Sequence, residues 1–233
     1  MIVGRCIDAA FTAWGRNWSN MLAIGVIAFF VYVVAFILCI VPAFFVQGPL
    51  TMALFAPALA ALRGEQVSVD MMGRGLERPG PVIVVGLVFG TIQLVLLVAI
   101  YAVVFMMMLG TMGLGVGAEQ SSALEVVPAF FGMFFVQIVL MFALLALQIF
   151  LAARLLYVFP LLIERELTVT EAIRASWEAS RERFWEHALL VLFAGFLVTA
   201  GSYLCYIGAA LTTPIAICVI AEAYRLRFEE GTG

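Results

Sequence analysis

The residue types that carry most active-site chemistry are sparse in this chain. The one histidine, His187, stands where an apolar stretch begins, with no partner at the spacing of a base–nucleophile pair or a metal site. It reads as an interfacial residue. No Ser-His-acid order and no HExxH occurs. Gly110, Gly113, Gly115 and Gly117 form a glycine-rich stretch without the helix-opening lysine of a phosphate loop, and read as a flexible loop. Cys6, Cys39, Cys205 and Cys218 lack metal-ligand spacing. They read as small apolar packing residues, although Cys39 and Cys205 fall near the same ends of their stretches, where a disulfide is conceivable. The expectation is no catalytic residue, no metal and no cofactor.

The polar residues inside apolar stretches are the next place to look. Gln93 lies in the third stretch, and Gln137 and Gln148 in the fourth. Eleven residues separate the last two, nearly three helical turns, so they share a face. Together the three could line a polar seam. The plainer account is interhelical hydrogen bonding, worth about 0.6 kcal/mol each, and two neutral amides on one helix do not make an ion pathway. Arg154 and Glu222 lie near the ends of the fourth and sixth stretches. Arg154 can pair with Glu222 as a structural tie, or snorkel to lipid phosphates as a headgroup site. Arg174 and Arg181 are further headgroup candidates, on an amphipathic element outside the apolar stretches.

The elements that position these residues are dictated by a lipid solvent. Apolar residues make up 65% of the 233, charged ones 12%, and mean hydropathy is +1.16. A soluble domain is about half apolar and a quarter charged. Six spans are expected, at 21–46, 49–63, 81–109, 129–158, 187–207 and 209–226. With about 20 residues needed per crossing, they leave no room among these residues for a separate soluble catalytic domain. Met21–Val46 is longer than the apolar core of a signal peptide and reads as a retained first span.

All twelve basic residues are arginines. Arg5 and Arg16 precede the first span, and Arg63, Arg74 and Arg78 separate the second from the third. Arg165, Arg174, Arg181 and Arg183 separate the fourth from the fifth, and Arg225 and Arg227 close the sixth. The alternate connections, at 47–48, 110–128 and 207–210, carry none. This one-sided placement puts the basic connections and both termini in the cytoplasm of an inner-membrane, multi-pass protein. The acids Glu119 and Glu125 stand in the 110–128 connection. Elsewhere acids interleave with the arginines, which excludes a nucleic-acid surface.

Three units resemble one another, at about 6–65, 66–166 and 167–230 of a single membrane domain. Each opens with an amphipathic segment, goes out through a long span, and returns through a span that bears proline and ends in arginine and acid. Phe55-Ala56-Pro57 with Arg63-Gly64-Glu65 matches Val158-Phe159-Pro160 with Arg165-Glu166, and Pro214 with Arg225 and Glu229. Gly48-Pro49-Leu50 matches Thr213-Pro214-Ile215, and Ala10, Trp14 and Trp18 match Ile173, Trp177 and Trp185. Thr168 and Glu171 form a capping box that starts a helix over 168–186. Ile173, Trp177 and Phe184 fall on one face of it, and Glu178 can pair with Arg174 and Arg181. Such a helix, and a weaker one over 6–18, either lies in the headgroup plane or packs on the bundle; periodicity does not separate the two. Gly86 and Gly90 form a small-xxx-small face for close approach of a helix of this chain or of another copy.

The run Arg154, Pro160, Glu164, Thr168, Ala172, Ser176 and Phe184-Trp185, with Ala223-Tyr224-Arg225 closing the last span, resembles the membrane domain of glycerophosphodiester phosphodiesterases and its stand-alone bacterial relatives. The likeness is clear over about 75 residues. It implies six helical spans. In that family hydrolysis belongs to a separate soluble barrel domain, so it implies no activity for these residues. The expected protein is all-α, a polytopic transmembrane helical bundle of three parallel hairpins with cytoplasmic amphipathic helices. Its expected role is non-enzymatic, in envelope or lipid homeostasis or as a scaffold, with anionic membrane lipids as partners. A small-molecule or lipid transporter using the glutamine seam is the alternative, and a membrane-embedded enzyme the third reading.

Overall fold

The computed structural model describes residues 2–38, 40–74, 76–77, 79–117, 123–203 and 207–229. Among them every regular element is a helix: α1 (Ile2–Arg16), α2 (Trp18–Leu38), α3 (Ile40–Leu62), α4 (Met71–Arg74), α5 (Pro79–Gly117), α6 (Ala123–Arg154), α7 (Val158–Glu164), α8 (Val169–Ala179), α9 (Phe184–Tyr203) and α10 (Ile207–Phe228). Five stretches are long and apolar enough to cross a bilayer: Trp18–Leu38, Ile83–Gly110, Phe131–Glu164, Phe184–Tyr203 and Gly208–Phe228. A sixth apolar stretch, Val46–Leu62, is shorter. The protein is a polytopic helical membrane protein. Cys39, Cys205, Arg78 and Glu119 lie outside the described residues.

The chain divides into two compact units, Met1–Thr91 with Leu151–Gly233, and Ile92–Phe150. In the first, α10 is the central element and packs on α1, α2, α3 and α9. Its apolar window is 61% buried, against 28% for α2 and for α9. The difference follows from side-chain size. Ala216, Cys218, Val219 and Ala221 of α10 let neighbouring helices close around it, whereas α2 turns Phe30, Phe36 and Ile37 outward. The second unit is an antiparallel hairpin in which Gly110 receives the Met133 side chain. Phe105, Phe131, Phe135 and Phe142 are exposed there. In water such a surface would aggregate; in a bilayer it is the solvated one.

Four boundaries differ from the sequence expectation. The connection expected at 47–48 is inside α3, which begins at Ile40 and carries Pro49 and Pro57 within it. Gly-Pro breaks a helix in water, but here Gly48 is a contact point: a Cβ on it would stand 2.8 Å from Gly86 Cα. The Gly86 face is thus used within the chain. The glycine-rich stretch expected as a loop is helical through Gly117, since glycine is readily accepted in membrane helices. The fourth span stops at Arg154, and α7 opens at Val158 with Pro160 in its first turn, where proline removes no helical hydrogen bond. The helix expected over 168–186 ends at Ala179, where the Ser180 hydroxyl donates to Trp177 O (3.2 Å) and its N–H to Ser176 O; Phe184 opens α9 instead.

Candidate functional site

The arginine-bearing end of the first unit is built around α8. Its capping box forms as expected: Glu171 N donates to Thr168 Oγ1, and Thr168 N to Glu171 Oε2 at 3.0 Å. The Thr168 hydroxyl, then its N–H, hold the Glu171 carboxyl below its ordinary pKa. Ala172, Ser176 and Ala179 are buried, while Trp177 is 41% exposed. So α8 docks on protein through a small-residue face, and the aromatic beside that face stays exposed. On α1, Cys6, Ala10 and Ala13 are buried while Phe11 is exposed, as is Trp18, which opens α2. Burial, then the nearby Glu222, push the Cys6 thiol up to about 12, which leaves it a packing group.

Ser176 closes the break between α6 and α7. Its hydroxyl donates to Arg154 O (2.8 Å) and accepts from Tyr157 N (3.1 Å), two backbone groups that the break leaves without helical partners. The Arg154 guanidinium reaches across to the same helix. Nη1 donates to Trp177 O (3.4 Å), and the cation lies 5.0 Å from the Trp177 ring centroid and 5.4 Å from that of Phe184. Arg174 pairs with Glu178 (3.1 Å), both exposed. Arg181 is exposed and has no partner among the described residues.

A second construction joins the ends of α3, α7 and α10. Arg63, just past α3, clamps Glu164 of α7 with two bonds (2.7 and 3.3 Å) and reaches Glu229 at 2.7 Å. The Glu164 bonds, then those to Glu229, hold its guanidinium above its ordinary pKa against the opposing effect of burial. Arg165, just past α7, donates to Phe228 O of α10 (3.1 Å) and lies 5.2 Å from the Phe228 ring. Arg225 of α10 donates to Leu62 O of α3 (3.1 Å) and to Glu222 (2.9 Å). Each returning segment thus passes an arginine to the next, in a cycle. Two of these arginines cap terminal helix carbonyls, where a cation also suits the helix dipole. Glu222 is part of this ring through Arg225. The sequence signal was present, since each unit ends in arginine and acid; their convergence was not read from it.

Next to the ring lies a cavity of about 200 Å³ walled by Tyr157, Arg183, Glu186, His187, Leu190 and Arg227. His187 is 6% exposed and so is a core residue, not the expected interfacial one. Its Nδ1 is 2.7 Å from Arg183 O, and with the proton there Nε2 is left to accept. Tyr157 meets it edge-on at 5.3 Å. Arg227 pairs with Glu182 (2.6 Å), and Arg183 stands 3.7 Å from Glu186. Among the described residues no group of three His, Cys, Asp or Glu converges as a metal site.

In the second unit the glutamines separate. Gln137 Nε2 donates to the Val103 carbonyl of α5, the plainer of the two roles expected of it. It lines a groove with Val103, Met106, Gly110, Met133 and Leu140, and is the one polar side chain there among the described residues. Gln93 and Gln148 are half-buried and make no hydrogen bond among the described residues.

The family pattern found in the sequence is explained by these contacts: Arg154 and Phe184 stack, Ser176 bridges the helix break, Thr168 caps α8, Ala172 docks it and Glu164 holds Arg63. No curated protein and no solved structure matches the chain. Residues 126–220, running from α6 into α10, match the family model of the membrane domain of glycerophosphoryl diester phosphodiesterase.

Proposed function

We propose that this is a non-enzymatic inner-membrane protein that holds anionic lipid at its arginine-bearing end and serves lipid or envelope homeostasis as a scaffold. Both termini and that end face the cytoplasm in this reading, which rests on the absence of arginine from the alternate connections. One observation carries the lipid assignment. α1 and α8 dock through small residues and leave Phe11 and Trp177 exposed, with Trp18 exposed at the start of α2, beside Arg16, Arg174 and Arg181. Aromatics at the acyl boundary with arginines beside them suit phosphate headgroups. The Arg174–Glu178 pair does not compete strongly, because exposed ion pairs contribute about 0–1 kcal/mol.

Native mass spectrometry of protein extracted with its own lipids tests the reading. Each arginine near a charged surface contributes about 1 kcal/mol, so an Arg174→Gln/Arg181→Gln double variant should lose anionic lipid by about tenfold or more. Arg154→Ala serves as the contrast: it loosens α8, and its lipid loss should follow the loss of folded protein. Retention unchanged in a well-folded double variant would end the headgroup assignment.

A further inference from the structure

In the first unit, away from the arginine-bearing end, a cavity of about 390 Å³ lies between α2, α3, α9 and α10 and is open where Tyr32 and Gln47 are exposed. Among the described residues its polar lining is Tyr32, Gln47, Thr51, Ser202 and Thr213, and no charged side chain takes part. Thr51 Oγ1 donates to Gln47 O (2.7 Å), Ser202 Oγ to Val198 O (2.9 Å) and Thr213 Oγ1 to Ala209 O (2.7 Å). All three hydroxyl protons are therefore committed to the backbone of their own helices, and what each oxygen has left is acceptor capacity. Among these side chains, only Tyr32 and Gln47 offer donors. The lining is neutral and rich in acceptors.

Two of the four helices around the cavity, α3 and α10, are interrupted by proline. Pro214 removes the N–H that would bond the Ala210 carbonyl four residues earlier. α2 approaches that carbonyl at Gly25, where a Cβ would overlap the oxygen and stand 2.9 Å from the Pro214 ring. Pro49 interrupts α3 at the matching place, since Gly48-Pro49-Leu50 corresponds to Thr213-Pro214-Ile215 in the repeat. Gln47, Leu50 and Thr51 face the cavity from α3, and Ala209, Ala210 and Thr213 from α10. Proline-interrupted helices at corresponding positions of a repeated membrane fold mark where polar groups line a site.

We propose that this cavity binds a small uncharged solute bearing hydroxyl or amide groups, which donates hydrogen bonds to Thr51, Ser202 and Thr213. A charged ligand would meet no counter-charge among the described lining residues. A lipid chain would leave the three hydroxyls and the Gln47 amide facing hydrocarbon. The site is independent of the lipid reading and shares no residue with it.

The test uses the full chain in lipid vesicles, with Cys39 and Cys205 replaced by serine. Thr213→Cys and Ser202→Cys place a thiol in the cavity from two different helices, so one distorted variant does not decide the result. Leu211→Cys, at an exposed position on α10, is the control. A water-soluble methanethiosulfonate should label both cavity variants about tenfold faster than the control, because thiols in hydrocarbon do not ionise. Xylitol or acetamide should slow that labelling several-fold, and sodium methylsulfate at equal concentration should not. Labelling at the control rate in both variants would show a cavity closed to water and overturn the proposal. Fast labelling that neither neutral solute slows would overturn it as well.

Discussion

The two amphipathic helices are built on one plan and held in different ways. α1 buries Cys6, Ala10 and Ala13; α8 buries Ala172, Ser176 and Ala179, at the same spacing of four residues and then three. Each leaves an aromatic exposed beside the stripe, Phe11 on α1 and Trp177 on α8. α1 lies on α10 and α3, and Asn17 at its end accepts from Val67 N (3.4 Å), whereas α8 is fastened by a capping box, by Ser176 in the α6–α7 break and by Arg154. A stripe of small residues is what the two docked faces share. Hydrogen bonds are added where the neighbouring backbone is broken and needs them.

If size is what docks both helices, enlarging the stripe should be the most damaging change in either. Ala10→Leu and Ala172→Leu each place a large side chain where the native residue is 0% exposed. Each should cost about 3 kcal/mol, the upper part of the overpacking range, read as loss of folded protein in a detergent melt. Phe11→Leu, at the exposed position beside the stripe, should leave the melt nearly unchanged. Equal damage from Phe11→Leu would mean that the aromatic face, not the small one, does the docking.

The next change separates the helices. Ser176→Ala strands the Tyr157 N–H and the Arg154 carbonyl, at about 2 kcal/mol. Ala10→Ser, the matching change on α1, should cost less than about 1 kcal/mol, because the new hydroxyl can bond back to its own helix. A similar cost for both would show that the helix break draws no special support from Ser176.

The difference between these helices was only partly legible in the sequence. The capping box at Thr168 and Glu171 is a local pattern with one meaning, and it forms. The recurring arginine and acid after each returning span was visible too, but three-dimensional convergence is needed to see that Arg63, Arg165 and Arg225 close a cycle. The docking faces were missed for a physical reason. Lipid and protein interior are both apolar, so hydropathy does not tell them apart; residue size does. Matching Trp14 to Trp177 by aromatic identity set the repeat three residues out of the register that the buried stripes show, in which Phe11 stands with Trp177. Gly48-Pro49 misled similarly, since a turn signal in water became a helix–helix contact.

The cap itself is a smaller effect with a pH signature. Thr168→Ala should destabilise by about 1 kcal/mol. Glu171 has its pKa lowered from 4.5 by the Thr168 hydroxyl and N–H, so its contribution is complete above that value and is lost as pH falls through the lower, folded one. The difference between wild type and Glu171→Gln should therefore be full at neutral pH and shrink below about 4.5. α1 has no such box, and no comparable loss should be traceable to its first turn. A wild-type advantage that persists in strong acid would mean that the carboxylate is not what holds this end.

The smallest expected effect addresses why α8 keeps Trp177 at all. The ring gives Arg154 a cation–π contact worth about 0.5–1 kcal/mol, and Trp177→Leu should lose that much and little more, since the Trp177 carbonyl that Arg154 also uses is backbone and remains. Stability alone would then not justify a tryptophan at a 41% exposed position. If the aromatics serve the bilayer boundary, Trp177→Leu and Phe11→Leu should weaken anionic-lipid retention together while melting almost as wild type. If instead Trp177 is only the seat of Arg154, its loss should leave lipid unchanged and lower the melt by that cation–π contact alone, less than Arg154→Leu, which also gives up the Trp177 carbonyl and the Phe184 ring. The two helices would then share a docking stripe but not a purpose, and the lipid reading would rest on the arginines alone.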